Sequence, residues 1–315
     1  MKFVKSVPIA LGGLSLALAA LGNVLMAHFN QNQPDYLIRK ICGVLSAIVF
    51  LMLLLKVVLH FSHAGAELKT PVPLSVLPTS TMALMLLSVY IKQYLDPAGN
   101  VALVMWYASV AVHVCIMLLF AKRFIIGFKL GTVFPSWFIT FVGIVTVSVT
   151  APAMNASGFG QIVFYIGFCL YFVALILIAL RMIKVKSFPE PAKPSIAIFT
   201  APMALCIVGY FQSFQPEQRN AALIYVMLAI AVISYLYVLA MMIPLLRIKF
   251  YPTYTAYTFP FVISALAFRL GNGFLTSQGY TFFAPVMHIS LWIAVAAVLF
   301  VIVHYIRYFA FWLRF

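Results

Sequence analysis

The class of this chain is decided by eight consecutive apolar residues, Ile48-Val49-Phe50-Leu51-Met52-Leu53-Leu54-Leu55. They lie inside a largely apolar block, 38–62, which is longer than the roughly 20 residues that a helix needs to cross a membrane. The rest of the chain has the same character, because 65% of its 315 residues are apolar and 8% are charged. Soluble domains have about 45–50% apolar and about 25% charged residues. A water-soluble globular protein is therefore excluded.

Ten apolar blocks of this kind follow one another, and no break between them is long enough for a separate soluble domain. We therefore predict one all-α integral membrane domain over residues 1–315 with ten transmembrane helices. The first block follows Lys2 and Lys5 like a signal peptide, but its apolar run exceeds the about 7–15 residues of such segments, so we expect a retained helix. The predicted helices cover 6–28, 38–62, 72–92, 99–121, 131–152, 159–183, 195–214, 220–246, 252–274 and 282–306.

A proline recurs in the first half of every odd-numbered predicted helix, among small and hydroxylated residues. Proline removes a backbone hydrogen bond and bends a helix, and the freed carbonyl needs protein or water to satisfy it. The even-numbered helices are more continuously apolar, which indicates contact with lipid. Five hairpins, each with a bent inner helix and a straight outer helix, predict a ring around a central pore. The alternative is that these prolines are simply common in membrane helices.

The residues around these prolines are the candidates for bending the inner helices and lining the pore. They are Pro8, Gly12, Gly13, Pro78, Thr79, Thr81, Pro135, Thr140, Gly143, Thr200, Pro202, Thr258, Pro260 and Ser264.

The charged residues predict the orientation and the charge of the transported species. The net charge is +15, and all five acids, Asp35, Glu67, Asp96, Glu190 and Glu217, fall in connections between helices. A path without carboxylates favours anions over cations. Lys92 and Arg269 end the third and ninth helices, where they form a basic outer vestibule or anchor those helices at the interface.

Membrane orientation follows from the side on which the cations fall, because Lys and Arg are enriched in cytoplasmic connections. The side of the termini holds 14 of them: Lys2, Lys5, Lys69, Lys122, Arg123, Lys129, Arg181, Lys184, Lys186, Lys193, Arg247, Lys249, Arg307 and Arg314. The other side holds 5: Arg39, Lys40, Lys92, Arg219 and Arg269. This distribution predicts cytoplasmic termini in a multi-pass protein of the inner (cytoplasmic) cell membrane.

Catalytic and metal-binding patterns are missing from the sequence. Lys56, His60 and His63 share one helix face, where we favour a lysine that reaches the membrane surface over a metal site or proton relay. His113 lies mid-membrane, where a hydrogen bond to a neighbouring helix is the default. We expect no enzymatic activity, no cofactor, no metal and no nucleic-acid partner.

Four segments resemble the tellurite-resistance/dicarboxylate transporter family, which includes the slow-type anion channels of plants. They are Ser75-Val76-Leu77-Pro78-Thr79-Ser80-Thr81-Met82-Ala83, Pro135-Ser136-Trp137-Phe138-Ile139-Thr140-Phe141-Val142-Gly143, Ala197-Ile198-Phe199-Thr200-Ala201-Pro202 and Tyr257-Thr258-Phe259-Pro260. The resemblance implies a quasi-fivefold bundle with odd-numbered helices around a pore and even-numbered helices outside, assembled as a homotrimer. It also implies that Phe259, just before the ninth-helix proline, plugs the pore.

Two functions follow as hypotheses. In the first, the protein lies in a lipid bilayer and passively conducts small inorganic or organic anions through a central pore gated by Phe259. In the second, it is a proton-coupled carrier of C4-dicarboxylates or other oxyanions.

Overall fold

The computed structural model describes residues 2–29, 36–185 and 188–312, and these contain helices and no strand. The connection at 30–35 and the cations Lys186 and Arg314 considered above lie outside the described residues. Ten helical segments are long and apolar enough to cross a membrane, which confirms the predicted number. They are α1 (Leu11–His28), α2 (Leu37–Leu59), α3 (Pro71–Tyr94), α4 (Asn100–Phe124), α5 (Trp137–Met154), α6 (Ser157–Lys184), α7 (Glu190–Ser213), α8 (Ala221–Leu245), α9 (Pro252–Ser277) and α10 (Ala284–Trp312).

Each span differs from its predicted bounds by at least one residue, and four ends differ by five or six residues. The α1 span begins at Leu11 rather than at residue 6, because a separate short helix, Lys2–Ser6, precedes it. The α5 span begins at Trp137 rather than at 131, α7 begins at Glu190 rather than at 195, and α10 continues to Trp312 rather than to 306. Both ends of the chain lie together, since the Tyr308 hydroxyl donates to the Ser6 carbonyl at 3.0 Å. We call this side of the bundle the terminal side.

Burial separates the odd-numbered spans from the even-numbered ones. In the most apolar stretch of each odd-numbered span, 67–89% of the residues are buried, against 28–33% in each even-numbered span. The exposed even-numbered faces carry large apolar side chains such as Leu51, Leu118 and Ile233. An exposed apolar surface of this extent would be unfavourable in water and is suited to contact with lipid. The even-numbered spans therefore form the apolar outer surface of the bundle.

The odd-numbered spans contact one another in cyclic order. The α1 span packs on α3, α3 on α5, α5 on α7, α7 on α9, and α9 returns to α1. Each even-numbered span packs on the odd-numbered span of its own hairpin and on the odd-numbered span that follows it around the ring, which for α10 is α1. These contacts are those expected of five hairpins in a ring, and the quasi-fivefold symmetry itself stays a prediction.

The five prolines predicted to bend the odd-numbered spans lie before or at the start of an α-helix rather than inside a continuous one. A further proline of α7, Pro194, lies inside the 3₁₀ segment Glu190–Thr200. Pro78 begins the helix Pro78–Tyr94, after a separate turn, and Pro202 and Pro260 are second residues of Ala201–Ser213 and Phe259–Ser277. Proline fits there because the first amide groups of a helix have no intrahelical partner. The expected bend is thus a break between two helical pieces. The even-numbered spans are uninterrupted helices of 23–29 residues.

A hydroxyl group bonds a backbone carbonyl across each interface of the ring. Side-chain hydrogen bonds of this kind contribute about 0.6 kcal/mol each between membrane helices. The bonds are Tyr90 to Ala19 (2.7 Å), Thr140 to Ser75 (3.2 Å), Ser213 to Ser148 (2.6 Å), Ser264 to Thr200 (3.1 Å) and Thr258 to Gly13 (3.4 Å). The Ser264 and Thr258 hydroxyls share their hydrogen with a nearer carbonyl of the same span, at 2.8 and 2.6 Å.

Candidate functional site

Two cavities lie inside the ring of odd-numbered spans. A central cavity of about 50 Å³ is lined by residues of all five odd-numbered spans. A larger cavity of about 410 Å³ is lined by residues just before α1 and α5, by the first residues of α3, α7 and α9, and by the connection before α3. Val72, Val76 and Thr253 line both cavities, so the two adjoin each other along the axis of the ring. No residue of an even-numbered span lines either cavity in the described parts of the chain.

The central cavity is narrow, and its lining contains no ionisable side chain among the described residues. Phe259 belongs to this lining and is 7% exposed. The same cavity lining contains residues from the four other inner spans. They include Gly13 and Leu16 of α1, Thr79 and Met82 of α3, Ile139 and Gly143 of α5, and Ile198 and Pro202 of α7.

The position of Phe259 follows from a break in α9. A 3₁₀ turn, Pro252–Tyr257, ends at Thr258, whose backbone is irregular (φ −96°, ψ −86°), and the α-helical part begins at Phe259. The Thr258 hydroxyl donates to the Thr255 carbonyl at 2.6 Å, which satisfies a polar group at the break. Pro260 then fixes the first turn of the new helix. The aromatic ring is therefore held where the five inner spans converge.

The larger cavity opens on the terminal side and has a mostly apolar wall. Six prolines, which begin or precede the odd-numbered spans, contribute to it: Pro8, Pro71, Pro73, Pro189, Pro191 and Pro252. Glu67 is its one ionisable lining residue among the described residues. A carboxylate thus lies at this mouth, which corrects the expectation of a path wholly without acids.

Lys56 neutralises this carboxylate. Its ammonium group lies 2.5 Å from Glu67 Oε1 and donates to the Val7 carbonyl at 2.5 Å, and its side chain is 1% exposed. The expectation that Lys56 reaches the membrane surface is therefore wrong, because the folded connection brings an acid to it. His63 Nε2 lies 3.4 Å from the same carboxylate oxygen, and no group that could hold a metal ion occurs in the described residues.

The structure divides the predicted lining residues into two groups. Pro8, Gly13, Thr79, Gly143, Pro202 and Pro260 line one of the two cavities. The others do not line either cavity and contact neighbouring parts of the bundle: Gly12, Pro78, Thr81, Pro135, Thr140, Thr200, Thr258 and Ser264. Thr81 turns towards the outer helix α4, where its hydroxyl lies 2.7 Å from His113 Nδ1.

Two glycines are required by close packing around the cavity. A Cβ atom on Gly12 would lie 2.8 Å from Thr79 Oγ1 and 3.1 Å from the Ser80 backbone nitrogen. A Cβ atom on Gly143 would lie 2.8 Å from Met82 Sδ. Contacts this short are not tolerated without movement of the neighbour. These glycines therefore set the spacing of α1, α3 and α5 around the cavity.

The sequence profile of the voltage-dependent anion channel family matches residues 5–306, which include all ten spans except the end of α10. The chain belongs to this family. Among curated proteins, none matches the chain. Membership in this anion channel family shows that the protein is a membrane protein that transports anions, and its relatives are channels and transporters rather than enzymes.

Several lysine and arginine side chains lie on the side of this anion channel family member opposite the termini, where they donate hydrogen bonds to neutral oxygens. Lys92 donates to the Ala153 carbonyl at 2.7 Å, and Arg219 donates to the Phe214 and Phe211 carbonyls at 3.0 and 2.8 Å. Burial lowers the pKa of Arg219, although the Tyr210 and Glu217 charges oppose this shift. Their positive charge is not cancelled by an acid within 4.0 Å in the described residues.

Arg39 and Arg269 add to the charge on this side. Arg39 is 3% exposed, donates to Asn23 Oδ1 at 2.7 Å and stacks on the Tyr90 ring at 4.4 Å. Arg269 is half-buried in α9 and lies near His28 and His288, which are themselves 3.3 Å apart. Neither Lys92 nor Arg269 lines the two cavities, so their influence on an anion would be exerted at a distance.

The sequence analysis missed the composition of the terminal-side cavity. The stretches Pro71-Val72-Pro73 and Pro189-Glu190-Pro191 were visible, but such stretches usually mark connections. The signal that could have identified them is their recurrence at the start of odd-numbered spans, since Pro8 and Pro252 occupy equivalent places.

Proposed function

We propose that the protein is a passive anion channel whose path runs along the axis of the five odd-numbered spans and is closed by the Phe259 ring. The observation that carries this proposal is the central cavity itself. It is bounded by all five inner spans, includes Phe259 and has no ionisable side chain in its lining among the residues that the structure describes. An apolar constriction of this kind blocks hydrated ions until the ring moves.

The cations on the side opposite the termini support anion entry. The hydrogen bonds of Lys92, Arg219 and Arg39 to the Ala153 and Phe214 carbonyls and to Asn23 Oδ1 do not cancel the positive charges, because these acceptors are neutral. Such a surface raises the local concentration of anions at the mouth of a path. The same reasoning assigns Lys92 and Arg269 to a basic outer vestibule, and the excess of cations on the terminal side assigns that side to the cytoplasm.

Anion selectivity would follow from the cost of dehydration. An anion that enters the central cavity exchanges water mostly for apolar surface, because the lining hydroxyls already donate to backbone carbonyls: Thr79 to Val76, Thr255 to Pro252 and Ser195 to Ala192. Weakly hydrated anions such as nitrate lose less in this exchange than strongly hydrated ones such as fluoride. We therefore expect nitrate to pass more readily than fluoride.

Assembly and membrane location rest on the resemblance and the charge distribution. The family resemblance implies a homotrimer with one path in each protomer, and the apolar outer spans supply a surface for lipid and for neighbouring protomers. The protein would lie in the inner (cytoplasmic) cell membrane. Native mass spectrometry from a lipid or detergent phase measures the oligomer directly.

The site favours the channel over the coupled-carrier hypothesis. A proton-coupled carrier needs a titratable group near the middle of its path. Glu67 lines the cavity at the terminal-side mouth rather than at mid-depth and is paired with Lys56. His113 is the candidate at mid-depth, but it is buried, bonded to Thr81 and absent from the lining of both cavities. Uptake of labelled malate that depends on a pH gradient would nevertheless favour this alternative.

The experiment is chloride and nitrate current through the purified protein in a planar bilayer. The wild-type protein is expected to pass small currents, and Phe259→Ala is expected to pass at least about tenfold more, because the constriction is removed. Phe274→Ala is the matched control. Phe274 lies on the same span, packs on Tyr225 of α8 at 5.4 Å and lines neither cavity. A Phe259→Ala current equal to that of the control would contradict the gate assignment.

A further inference from the structure

We propose that the Lys56–Glu67 ion pair sets the anion selectivity of the terminal-side mouth, with Lys56 cancelling the charge of Glu67, the one acid of the described residues that lines either cavity. This inference rests on the proposed anion channel. Lys56 is a positioning and charge-compensating residue here, because it reaches the path through Glu67 rather than by lining it.

Glu67 is placed where its charge would matter. It ends the short helix Phe61–Glu67 and lines the terminal-side cavity, and its side chain is 30% exposed. Every other lining residue of this cavity in the described chain is uncharged. A lone negative charge at this point would repel anions that enter or leave and would attract cations.

Lys56 contacts the Glu67 carboxylate but does not itself line the cavity. It lies near the end of α2, which is an outer span, and its ammonium group is enclosed between Glu67 Oε1 and the Val7 carbonyl at 2.5 Å each. The Val7 carbonyl directly precedes Pro8, which lines the cavity. The pair therefore joins an outer span, the start of α1 and the connection before α3 at the rim of the mouth.

The neighbouring groups do not replace Lys56. His63 lies 3.4 Å from the carboxylate but is largely exposed, and Arg123 donates to the Leu68 carbonyl rather than to the acid. Tyr308 is close enough to interact electrostatically with the Glu67 carboxylate, but its phenol is uncharged at neutral pH. Lys56 is thus the enclosed cation in contact with this carboxylate among the described residues.

The lysine also explains how an acid is tolerated in an anion path. A buried ammonium group is costly unless it is paired, and the pair as a whole carries no net charge. The mouth therefore presents an electrically neutral, mostly apolar rim. Removal of Lys56 alone would convert this rim into a cation-attracting one, and removal of both charges would restore neutrality.

The test measures chloride current and the chloride-to-potassium permeability ratio of the full chain in a planar bilayer with a KCl gradient. We expect Lys56→Gln to lower the chloride current and the permeability ratio by about two- to fivefold at low salt. The effect is expected to be much smaller at 1 M salt, because charges are screened within about 3 Å there. The double variant, Lys56→Gln with Glu67→Gln, is expected to recover most of the lost selectivity. Lys69→Gln is the matched control, since Lys69 lies in the same connection and is exposed.

A second arm does not depend on the fold of the Lys56 variant. Thr70 lines the same cavity and is exposed, so Thr70→Glu adds a carboxylate that Lys56 does not pair. Its chloride-to-potassium permeability ratio is expected to be about two- to fivefold below that of Thr70→Gln, which has the same size without the charge.

The outcomes separate this inference from the proposed function. A wild-type protein that passes no chloride overturns both. A chloride-selective wild-type protein with an unchanged ratio in Lys56→Gln, or with equal ratios in the two Thr70 variants, overturns the inference alone. A double variant as defective as Lys56→Gln also overturns it, because the lysine would then act through packing rather than charge.

Discussion

The ammonium group of Lys92 donates to the carbonyl of Ala153 at 2.7 Å, which ties the end of α3 to the end of α5 on the side opposite the termini. The bond fixes the position of the cation without cancelling its charge, because the acceptor is neutral. A fixed positive charge on this side of the bundle would raise the local concentration of anions near the proposed path. The same bond closes one interface of the inner ring.

Neutralising Lys92 tests its electrostatic role. We expect Lys92→Gln to lower chloride conductance by about two- to threefold at low ionic strength, and the difference to disappear in 1 M salt, where the screening length falls to about 3 Å. Lys92→Arg keeps the charge and serves as the control. The measurement is the bilayer current as a function of salt. A loss that persists equally at 1 M salt would point to a structural role for Lys92 instead.

The close approach of α1 and α3 predicts that Gly12 does not tolerate a side chain. Gly12→Ala brings a Cβ atom within 3.1 Å of the Ser80 backbone, which cannot rotate away, so we expect a loss of about 1–3 kcal/mol in unfolding free energy. Gly65→Ala is the control, since nothing lies within 4 Å of its Cβ position. That variant is expected to gain up to about 1 kcal/mol from helix propensity. Unfolding in detergent measures both, and equal stabilities would refute the packing argument.

The hydroxyl bonds between inner spans are expected to contribute measurably to stability. Ser264→Ala removes a hydroxyl that shares its hydrogen between the Pro260 carbonyl of its own helix (2.8 Å) and the Thr200 carbonyl of α7 (3.1 Å), with an expected loss of about 0.6 kcal/mol. Ser277→Ala lies on the same span, but its hydroxyl bonds only within that helix, at an exposed end. We expect its effect to be smaller than that of Ser264→Ala, because no interhelical bond is lost. The same unfolding assay compares the two, and a larger loss in Ser277→Ala would contradict the account.

Much of the fold could be predicted because membrane insertion imposes strong local rules. Apolar runs such as Ile48–Leu55 predict a span without any tertiary information, and the recurrence of prolines predicts which spans are interrupted. The positions of Pro78 and Pro260 at helix starts could not be read in this way. A proline excludes itself from a helix interior, but it does not say whether the chain bends or begins a new helix there.

The site could be predicted only where a residue's role is set by its own helix. Phe259 and Pro260 adjoin the break in α9 and line the central cavity, and the gating role of Phe259 stays a prediction. Thr81 has the same composition signal but faces His113, because helix rotation is decided by neighbouring spans. The Lys56–Glu67 pair depends on how the connection after α2 folds back, which no local pattern encodes.

The most direct measurement of the path is chemical modification of a cysteine placed in the central cavity. In a Phe259→Ala variant without its four native cysteines, Thr79→Cys is expected to lose most of its chloride current on treatment with a charged methanethiosulfonate, because Thr79 lines the cavity. Val112→Cys, on the exposed face of α4, is expected to keep its current. Block at Val112 with none at Thr79 would place the conducting path outside the ring of odd-numbered spans and contradict the account.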